Sequence, residues 1–386
     1  MKKYIPQSKL TSPFIVFILI ALYGIFSYLF CIDPFIKAYN PKIVCSPFSL
    51  FIWIIFAFSV YLGGMISLNL YKIAKAILFI SLSATFIAIF SVYRSFVLTL
   101  SAFIFLLLSA YYILFYEKSY SRSLIIGFVL MLVSMLFVGI PLLKGTHEQF
   151  ILNLNPIFVT GYGIAFLSLV FLWPKYKHVW ILFILFSVVT TYRALIAFPI
   201  IVFIFLFLEN KEKTRRKTKF STKEKIFLVS IIFLFLASMV ISEYFVRTGL
   251  QDTWKLDILR SAEYRAASTF STFDRIISKL FPFGYSPMIT LFSANTGKLI
   301  CKIAYSCDST INAGMFAPFF IDMGVLSFGI FLLIGKILRD LYERDFRIYA
   351  VASSLLLSSL DIGISIYFLS LLTILWNKVL EDERNP

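Results

Sequence analysis

Charged residues are scarce in this sequence. Asp, Glu, Lys and Arg together make up 15% of its 386 residues, whereas hydrophobic residues make up 60% and aromatic residues 18%. Soluble globular domains contain about 25% charged and about 45–50% apolar residues. The composition therefore excludes a water-soluble globule and predicts an all-α, polytopic membrane protein.

Several familiar motifs are also missing. The chain has no Walker pattern or other nucleotide-binding glycine loop, no histidines at metal-ligand spacing and no repeat with a period of about 20–50 residues. These absences argue against ATP-driven transport, and we expect neither a cofactor nor a bound metal ion. The formal net charge of +16 does not indicate nucleic-acid binding, because the cations concentrate in short connections between apolar runs, where they set membrane orientation.

What the chain does contain is a series of apolar runs of roughly 20 residues, the length that a helix needs to span a bilayer. Two further runs, 178–208 and 348–376, are too long for one helix, and each has a charged residue near its middle, Arg193 and Asp361. We interpret each long run as two short helices, which predicts a transmembrane bundle of about 12 segments. The single spans are expected at about 13–32, 47–68, 75–92, 95–115, 123–143, 155–173, 226–242 and 313–334.

The basic residues divide the connections between spans into two sides. With both termini in the cytoplasm, the most basic connections, including the loop 209–225, fall inside, as the positive-inside rule requires. The membrane bundle then comprises residues 1–242 and 313–386, and residues 243–312 form one long loop on the outer face of the cytoplasmic (inner) membrane. This outer loop is the one long hydrophilic segment placed outside, so we expect the functional site to face that side.

Within the outer loop, residues 257–281 have the pattern of an amphipathic helix. Its polar side either faces solvent and lipid headgroups or forms a cationic groove for a diphosphate, to which an arginine can donate two hydrogen bonds at once. The apolar residues recur at steps of three and four, which predicts a stripe packed against the bundle: Leu259, Ala262, Ala266, Phe270, Phe273, Ile277 and Leu280. The candidate ligands of a diphosphate on the helix are Arg260, Tyr264, Arg265, Arg275 and Lys279.

Arg193 lies between apolar segments in VVTTYRALIAFP, directly after Tyr192. Charges in such positions are costly, so they tend to face a protein interior or a water-filled cavity. We interpret Arg193 as a contact to a lipid-linked phosphate, with Tyr192 as a hydrogen-bonding neighbour. The alternative is an arginine that extends to the outer headgroups.

Four side chains are candidates for a general base, and the sequence does not rank them. Glu263 and Asp308 lie in the outer loop, and His147 lies on a short outer connection, where a lone histidine is usually solvated. Asp322 lies near the middle of a span, where a carboxylate is a functional candidate, although a structural pairing with an arginine is an open alternative.

All four cysteines are expected on the outer side of the membrane, where the compartment is oxidising. Cys31 and Cys45 lie at the two ends of the first outer connection, and Cys301 and Cys307 lie near the end of the outer loop. We hypothesise the disulfides Cys31–Cys45 and Cys301–Cys307. Buried free thiols are the alternative.

Three motifs resemble the Wzy-type O-antigen and oligosaccharide repeat-unit polymerases. They are TTYRALIAF before a basic cytoplasmic loop, the outer loop with spaced arginines and FPFGYSP, and NAGMFAPFFIDMGVLSFG at the start of the following span. The likeness in architecture covers nearly the whole chain. The related O-antigen ligases carry a histidine at the outer start of the last motif, and its absence from INAGM here favours a polymerase over a ligase.

The resemblance implies a metal-independent, GT-C-like membrane glycosyltransferase of O-antigen, lipopolysaccharide or related polysaccharide biosynthesis. Its donor and acceptor would be oligosaccharides linked to a polyprenyl (undecaprenyl) diphosphate, and the growing glycan would move en bloc onto a new lipid-linked unit. Arg193, Arg260 and Arg265 would contact the diphosphate, with Arg275 and Lys279 as weaker candidates. A chain-length regulator is a further expected partner.

Two other functions stay open at this level. A flippase or other transporter of lipid-linked glycans would more often have inverted repeats and lack a long extramembrane loop, so the sequence argues against it. A ligase-like glycan transferase would share the substrate class and differ in the acceptor.

Overall fold

The computed structural model describes residues 12–67, 71–93, 96, 100, 103–104, 120–138, 156–189, 193–214, 258–286, 290, 296–307, 311–362 and 366–381. Every regular element in these ranges is a helix, which confirms the all-α class. Within these described ranges, three helices are long and apolar enough to cross a membrane: Pro13–Ile32, Pro47–Met65 and Ala317–Arg344. The number of about 12 segments and the GT-C-like arrangement stay predictions, and the expected span 226–242 and most of 95–115 lie outside the described residues.

The helices are numbered in chain order. They are α1 Pro13–Ile32, α2 Pro34–Tyr39, α3 Pro47–Met65, α4 Tyr71–Tyr93, α5 Tyr120–Val138, α6 Pro156–Phe171, α7 Lys177–Val189, α8 Arg193–Thr214, α9 Ile258–Leu280, α10 Thr296–Tyr305, α11 Ala317–Met323, α12 Ser327–Arg344, α13 Phe346–Ile362 and α14 Ile366–Glu381. A single 3₁₀ turn, Gly324–Leu326, joins α11 to α12.

The chain divides into two compact units. Unit 1 combines residues 1–102 with 259–386, so both ends of the chain belong to it, and unit 2 comprises residues 103–258. The two long apolar runs each contain two helices: α7 and α8 occupy 178–208 in unit 2, and α13 and α14 occupy 348–376 in unit 1. The helix α13 ends at Ile362, directly after Asp361.

Unit 2 is held together by a close contact between α5 and α6 and by an aromatic core. A Cβ atom on Gly127 would lie 2.7 Å from the carbonyl oxygen of Gly161, so only glycine allows this approach of the two helices. Trp180 of α7 packs against Phe166 of α6 and Phe203 of α8, with ring centroids 5.8 Å apart in both pairs. All three of these aromatic side chains are buried.

In unit 1 the membrane-spanning helices α3 and α12 pack directly backbone to backbone. A Cβ atom on Gly335 would lie 2.7 Å from the carbonyl carbon of Val60, and one on Gly63 would lie 2.7 Å from that of Leu332. Each helix therefore supplies one glycine to the contact. Small residues allow close packing of helices in a membrane, where the hydrophobic effect does not drive helix association.

The helices α4 and α14 are joined by a row of polar contacts between otherwise apolar surfaces. A hydrogen bond of 2.6 Å joins the hydroxyls of Thr85 and Ser370, and one of 2.8 Å joins those of Ser81 and Thr373. One turn after Thr373 on α14, the Asn377 side-chain amide donates to the Ala74 carbonyl of α4 at 3.1 Å. Because hydrogen-bonding groups in apolar surroundings need partners, these contacts fix the register of the two helices.

The helix α12 continues to Arg344, beyond the expected end of the last single span at residue 334. Lys336, which the sequence pattern placed in a connection, is buried and donates to Asp340 at 2.6 Å. The Trp376 indole of α14 donates to the other oxygen of the same carboxylate at 3.0 Å. The lysine and the aspartate, four residues apart, neutralise each other, so the helix can carry both charges in a buried position.

Substitution of Gly335 in α12 and of Gly64 in α3 by alanine should distinguish a tight contact between the two helices from a loose one. We expect Gly335→Ala to destabilise the protein by about 1–3 kcal/mol, because the new Cβ overlaps the Val60 backbone and neither helix can yield locally. In Gly64→Ala the Cβ would meet only the Gly335 carbonyl at 3.8 Å and Arg339 at 3.9 Å, which are ordinary contacts.

The measurement is the thermal unfolding of each detergent-purified variant, followed by size-exclusion chromatography after heating. Equal melting temperatures for Gly335→Ala and Gly64→Ala would contradict the close packing of α3 and α12.

Candidate functional site

The long amphipathic helix α9 covers one end of unit 1. At this end α1 ends at Ile32 and α3 begins at Pro47, and we call it the capped end. Phe270 of α9 packs on Tyr28 of α1 with ring centroids 5.9 Å apart, and Phe273 packs on Trp53 of α3 at 5.3 Å. The helix therefore lies across the ends of two membrane-spanning helices.

The bounds Ile258–Leu280 of α9 agree with the amphipathic pattern at about 257–281, but its buried face is turned relative to the expected stripe. Phe270, Phe273 and Ile277 are buried as expected, whereas Ala262 is exposed and Ala267 is buried. The buried side also includes the polar residues Thr269, Ser271, Thr272 and Asp274. A pattern that counts only apolar residues misses this side.

The polar part of the buried face binds the connection between α2 and α3. The Ser271 hydroxyl accepts a hydrogen bond from the Val44 amide at 3.0 Å. Asp274 Oδ1 accepts from the Ser46 amide at 2.9 Å and from the Ser46 hydroxyl at 2.6 Å. Ser46 is also the N-cap of α3, where its hydroxyl accepts from the Ser49 amide. The carboxylate of Asp274 thus links α9 to the start of a membrane-spanning helix.

A charged and aromatic cluster lies at the N-terminal end of α9, where it meets α2. We call Asp33, Phe35, Arg260 and Glu263 the α2 cluster. Arg260 donates to Glu263 at 2.8 Å, lies 3.7 Å from the Asp33 carboxylate and stacks 4.8 Å above the Phe35 ring centroid. All four side chains are partly exposed. Two carboxylates therefore flank one guanidinium at a surface that a ligand can reach.

Tyr264 extends the α2 cluster along the same side of α9. Its hydroxyl accepts a hydrogen bond from the Asn40 side-chain amide at 2.9 Å, and its ring meets Tyr39 edge to face with centroids 5.3 Å apart. Arg265 follows Tyr264 directly in the chain, and its side chain is exposed. Tyr264 lies about one turn after Arg260 and on the same side, whereas successive residues of a helix are about 100° apart. Arg260 and Arg265 therefore point to different sides of α9.

Arg275 and Lys279 bind other parts of the capped end. Arg275 donates to the Lys42 carbonyl at 2.7 Å and stacks 4.7 Å above the Tyr305 ring centroid. Lys279 donates to the carbonyls of Ile303 and Ala304, at 2.9 and 3.0 Å, in the last turn of α10. A cation at a helix C-terminus is stabilising because the last carbonyls lack partners within the helix. Both side chains thus stabilise the fold by donating hydrogen bonds to backbone carbonyls.

Asp322, in the last turn of α11, is buried. Its two carboxylate oxygens accept from the amide and the hydroxyl of Thr290, at 2.7 and 2.5 Å. This pair holds the segment before α10 against α11. Among the other predicted site residues, His147, Tyr192 and Asp308 lie outside the described residues, and Arg193 begins α8 with a side chain outside the described ones.

The two cysteine pairs stabilise the same end of unit 1. In the structure Cys31 is bonded to Cys45, with Cα atoms 6.3 Å apart, and Cys301 is bonded to Cys307, with Cα atoms 5.3 Å apart. The first pair closes the connection that contains α2, and the second closes the C-terminal end of α10. Both lie in segments that contact α9.

The segments FPFGYS and FIDMGV, which belong to motifs that carry part of the family resemblance, form one backbone clasp. The Tyr285 amide donates to the Ile321 carbonyl at 2.7 Å, and the Val325 amide donates to the Pro282 carbonyl at 2.9 Å. Gly284 and Gly324 have positive φ angles of 81° and 57°, and a Cβ on Gly284 would lie 2.7 Å from the Gly324 amide nitrogen. Glycine is needed at both positions for conformation and for space.

Sequence reasoning missed Asp33 as a member of the cluster, although a local signal for it exists. Asp33 precedes Pro34, and an aspartate followed by proline at the first helical position is typical of a helix N-cap. In the structure Asp33 caps α2, accepting from the Phe35 and Ile36 amides at 2.7 and 3.3 Å. Phe35 and Asn40 had no such signal, because their contacts are with residues more than two hundred positions away.

These observations define the class of the protein: a helical membrane protein with a charged and aromatic cluster where an amphipathic helix covers the ends of its spans. The family described as "Putative O-antigen polymerase" matches residues 9–376, nearly the whole chain, and the chain belongs to this family. It is also similar to an uncharacterized protein of Methanocaldococcus jannaschii, at 25% identity over 313 residues that cover 79% of this chain and 77% of the relative. No solved structure matches the chain.

The contact between Asp322 and Thr290 predicts a structural effect of substitutions there. We expect Asp322→Ala and Thr290→Val each to lower stability by about 1–3 kcal/mol, because the first removes the carboxylate that accepts from the buried Thr290 amide and the second removes the hydroxyl that donates to the buried Asp322. The double variant should be little worse than either single variant, since both remove the same contact.

Thermal unfolding of the purified variants measures this effect, with the exposed Ser278→Ala as control. A fully stable Asp322→Ala protein without activity would instead identify Asp322 as the general base.

The cysteine pairs predict the outcome of thiol labelling. Alkylation of the denatured, unreduced protein should add no label, and alkylation after reduction should add a label to all four cysteines, as intact-protein mass spectrometry would show. Peptide mapping should recover Cys31 linked to Cys45 and Cys301 linked to Cys307. Four labelled cysteines without reduction would contradict both bonds.

Proposed function

We propose that this protein polymerises polyprenyl-diphosphate-linked oligosaccharide repeat units on the outer face of the cytoplasmic membrane. It transfers the growing glycan en bloc from one lipid diphosphate to the terminal sugar of a new lipid-linked unit. The observation that carries the proposal is the family match over residues 9–376, which includes both units and the whole capped end. In this proposal the capped end faces outward and both termini face the cytoplasm.

The reaction makes two demands on the protein. A hydroxyl of the acceptor sugar attacks the anomeric carbon of the donor, so a bond to the acceptor oxygen forms, the bond to the diphosphate oxygen breaks, and the polyprenyl diphosphate leaves. A base must take the proton of the hydroxyl, and fixed positive charge must stabilise the leaving diphosphate. The products are a longer glycan on the new lipid carrier and a free polyprenyl diphosphate.

Glu263 is the base that the described geometry favours. It is a partly exposed carboxylate at the capped end, and the 2.8 Å contact with Arg260 holds its orientation. Asp322 is less suited, because it is buried and bonded to Thr290. Asp308 and His147, which lie outside the described residues, stay alternatives for this role.

The α2 cluster changes the roles of the arginines in the proposal. Arg260 lies between the carboxylates of Asp33 and Glu263, so it serves as a positioning residue for Glu263 rather than as a diphosphate ligand. Arg193 at the start of α8 and Arg265, which is exposed on a different side of α9 from the α2 cluster, stay the proposed diphosphate contacts. Arg275 and Lys279 are supporting residues, since both bind backbone carbonyls.

The aromatic side chains beside the cluster fit a glycan. Phe35, Tyr39 and Tyr264 lie next to Asp33, Arg260 and Asn40, which combines ring faces with hydrogen-bonding groups. Sugars present both apolar C–H faces and hydroxyls, so such a surface suits the acceptor glycan. A chain-length regulator would act on the same assembly as a further partner.

The test uses the full-length protein in liposomes with lipid-linked oligosaccharides extracted from membranes of the source organism. The expected product is a ladder of glycans, separated by gel electrophoresis, that forms in the presence of EDTA. We expect Glu263→Gln to reduce the ladder by about 10²-fold or more, because general base catalysis contributes about 10²–10⁴-fold. Arg265→Ala should reduce it as well, with normal thermal unfolding in both variants.

Arg339 and Glu343 provide a matched control, since they form an exposed ion pair on one helix, as Arg260 and Glu263 do, but lie in α12. Arg339→Ala and Glu343→Gln should leave the ladder intact. Movement of lipid-linked units across the bilayer without a ladder would overturn the proposal in favour of a flippase. Transfer to a different acceptor lipid, without a ladder, would favour a ligase-like enzyme.

A further inference from the structure

We propose that the turn after α9 inserts into the lipid bilayer and anchors the C-terminal end of α9 at the membrane surface. The turn and the neighbouring 3₁₀ turn present five large side chains outward, which we call the aromatic tip. Phe283 is 86% exposed, Leu326 74% and Tyr285 61%. Phe281 and Val325 complete the aromatic tip and are exposed as well.

The backbone of the aromatic tip is held in place by hydrogen bonds between its two segments. The clasp between the two segments is tied by the hydrogen bonds of Tyr285 to Ile321 and of Val325 to Pro282. Inside the turn, the Gly284 amide donates to the Leu280 carbonyl at 2.9 Å, which continues α9 into the turn. Gly284 and Gly324 also approach each other so closely that a Cβ on either would overlap the opposite backbone.

The bilayer is the occupant that the position of the aromatic tip indicates. Val325 and Leu326 belong to the stretch Ala317–Arg344, which is long and apolar enough to cross a membrane. Phe281 packs edge to face on Phe48 in the first turn of α3, with centroids 5.0 Å apart, and Phe48 and Phe51 are themselves exposed. The aromatic tip therefore adjoins the exposed apolar surface at the start of α3 and directly precedes α12.

The chemistry of the aromatic tip and its surroundings fits a membrane interface. A tyrosine beside phenylalanines offers an apolar body with a polar hydroxyl, the combination enriched at headgroup level. Lys279 at the base of the aromatic tip bonds to the end of α10, and Lys302 in that part of α10 is exposed. A cation next to a cluster of apolar side chains suits the phosphates of lipid headgroups.

Insertion also explains why so many large side chains stay together at one exposed place. A contiguous apolar patch is unfavourable in water and marks contact with a membrane or a partner. Here the backbone clasp holds the patch beside the first turn of α3. This inference does not depend on the proposed glycan transfer, since it concerns only how α9 is held.

Site-directed spin labelling of the full-length protein tests the insertion directly. Phe283→Cys and Leu326→Cys variants are labelled with a nitroxide without reduction, so that the cysteine pairs stay bonded, and reconstituted into vesicles of phosphatidylcholine and phosphatidylglycerol. Oxygen dissolves in the bilayer and a nickel chelate stays in water. We expect the labels at 283 and 326 to collide more with oxygen than with the chelate.

Two further variants calibrate the result. Phe58→Cys, an exposed side chain in the middle of α3, should give the value of a lipid-facing site, and Ser278→Cys, exposed on α9 one turn before the aromatic tip, should give the value of a water-facing site. Labels at 283 and 326 that match Ser278 would overturn the proposal. Labels shielded from both reagents would overturn it too, since a protein partner or a second copy would then cover the aromatic tip.

Discussion

The capped end of unit 1 depends on the position of one side chain, the indole of Trp53. Its N–H donates to the Ile20 carbonyl of α1 at 3.0 Å, and its ring contacts Phe270 and Phe273 of α9 and Phe316 before α11. Gly24 and Gly314 leave room for the ring, because a Cβ on either would overlap it. A buried tryptophan combines a large apolar area with one directional donor, so it fixes both the distance and the rotation of its neighbours.

Around this centre, the protein uses many of its outer charges to hold itself together. Asp274 binds the start of α3, Arg275 binds the connection before it, and Lys279 binds the end of α10. A cationic side chain on an amphipathic helix is therefore weak evidence for a ligand until its internal partners are known. Arg265 and the α2 cluster remain the proposed ligand contacts because their side chains are at least partly exposed at the capped end.

Local signals made much of this fold predictable. Runs of apolar residues indicated most of the described helices but neither α2 nor α10, periodicity located α9 to within a residue at each end, and a charged residue in each long run indicated the division into two helices. The rotation of α9 was not predictable, because Ser271, Thr272 and Asp274 are buried through contacts with residues distant in the chain. The same reason hid the roles of Arg275, Lys279 and Phe35, whose partners lie in other connections. The continuation of α12 to Arg344 was not predictable from hydropathy, because the pairing of Lys336 with Asp340 is a property of the packed bundle.

The clasp between the segments around Gly284 and Gly324 has a consequence for how such sequences can change. Each glycine occupies the space that the other would need for a side chain, and both adopt backbone angles that other residues avoid. A substitution at one position cannot be relieved by a rotamer change, since the obstructing atoms belong to the opposite backbone. A side chain at either glycine therefore requires the backbone of both segments to change, although the two positions are forty residues apart in the chain.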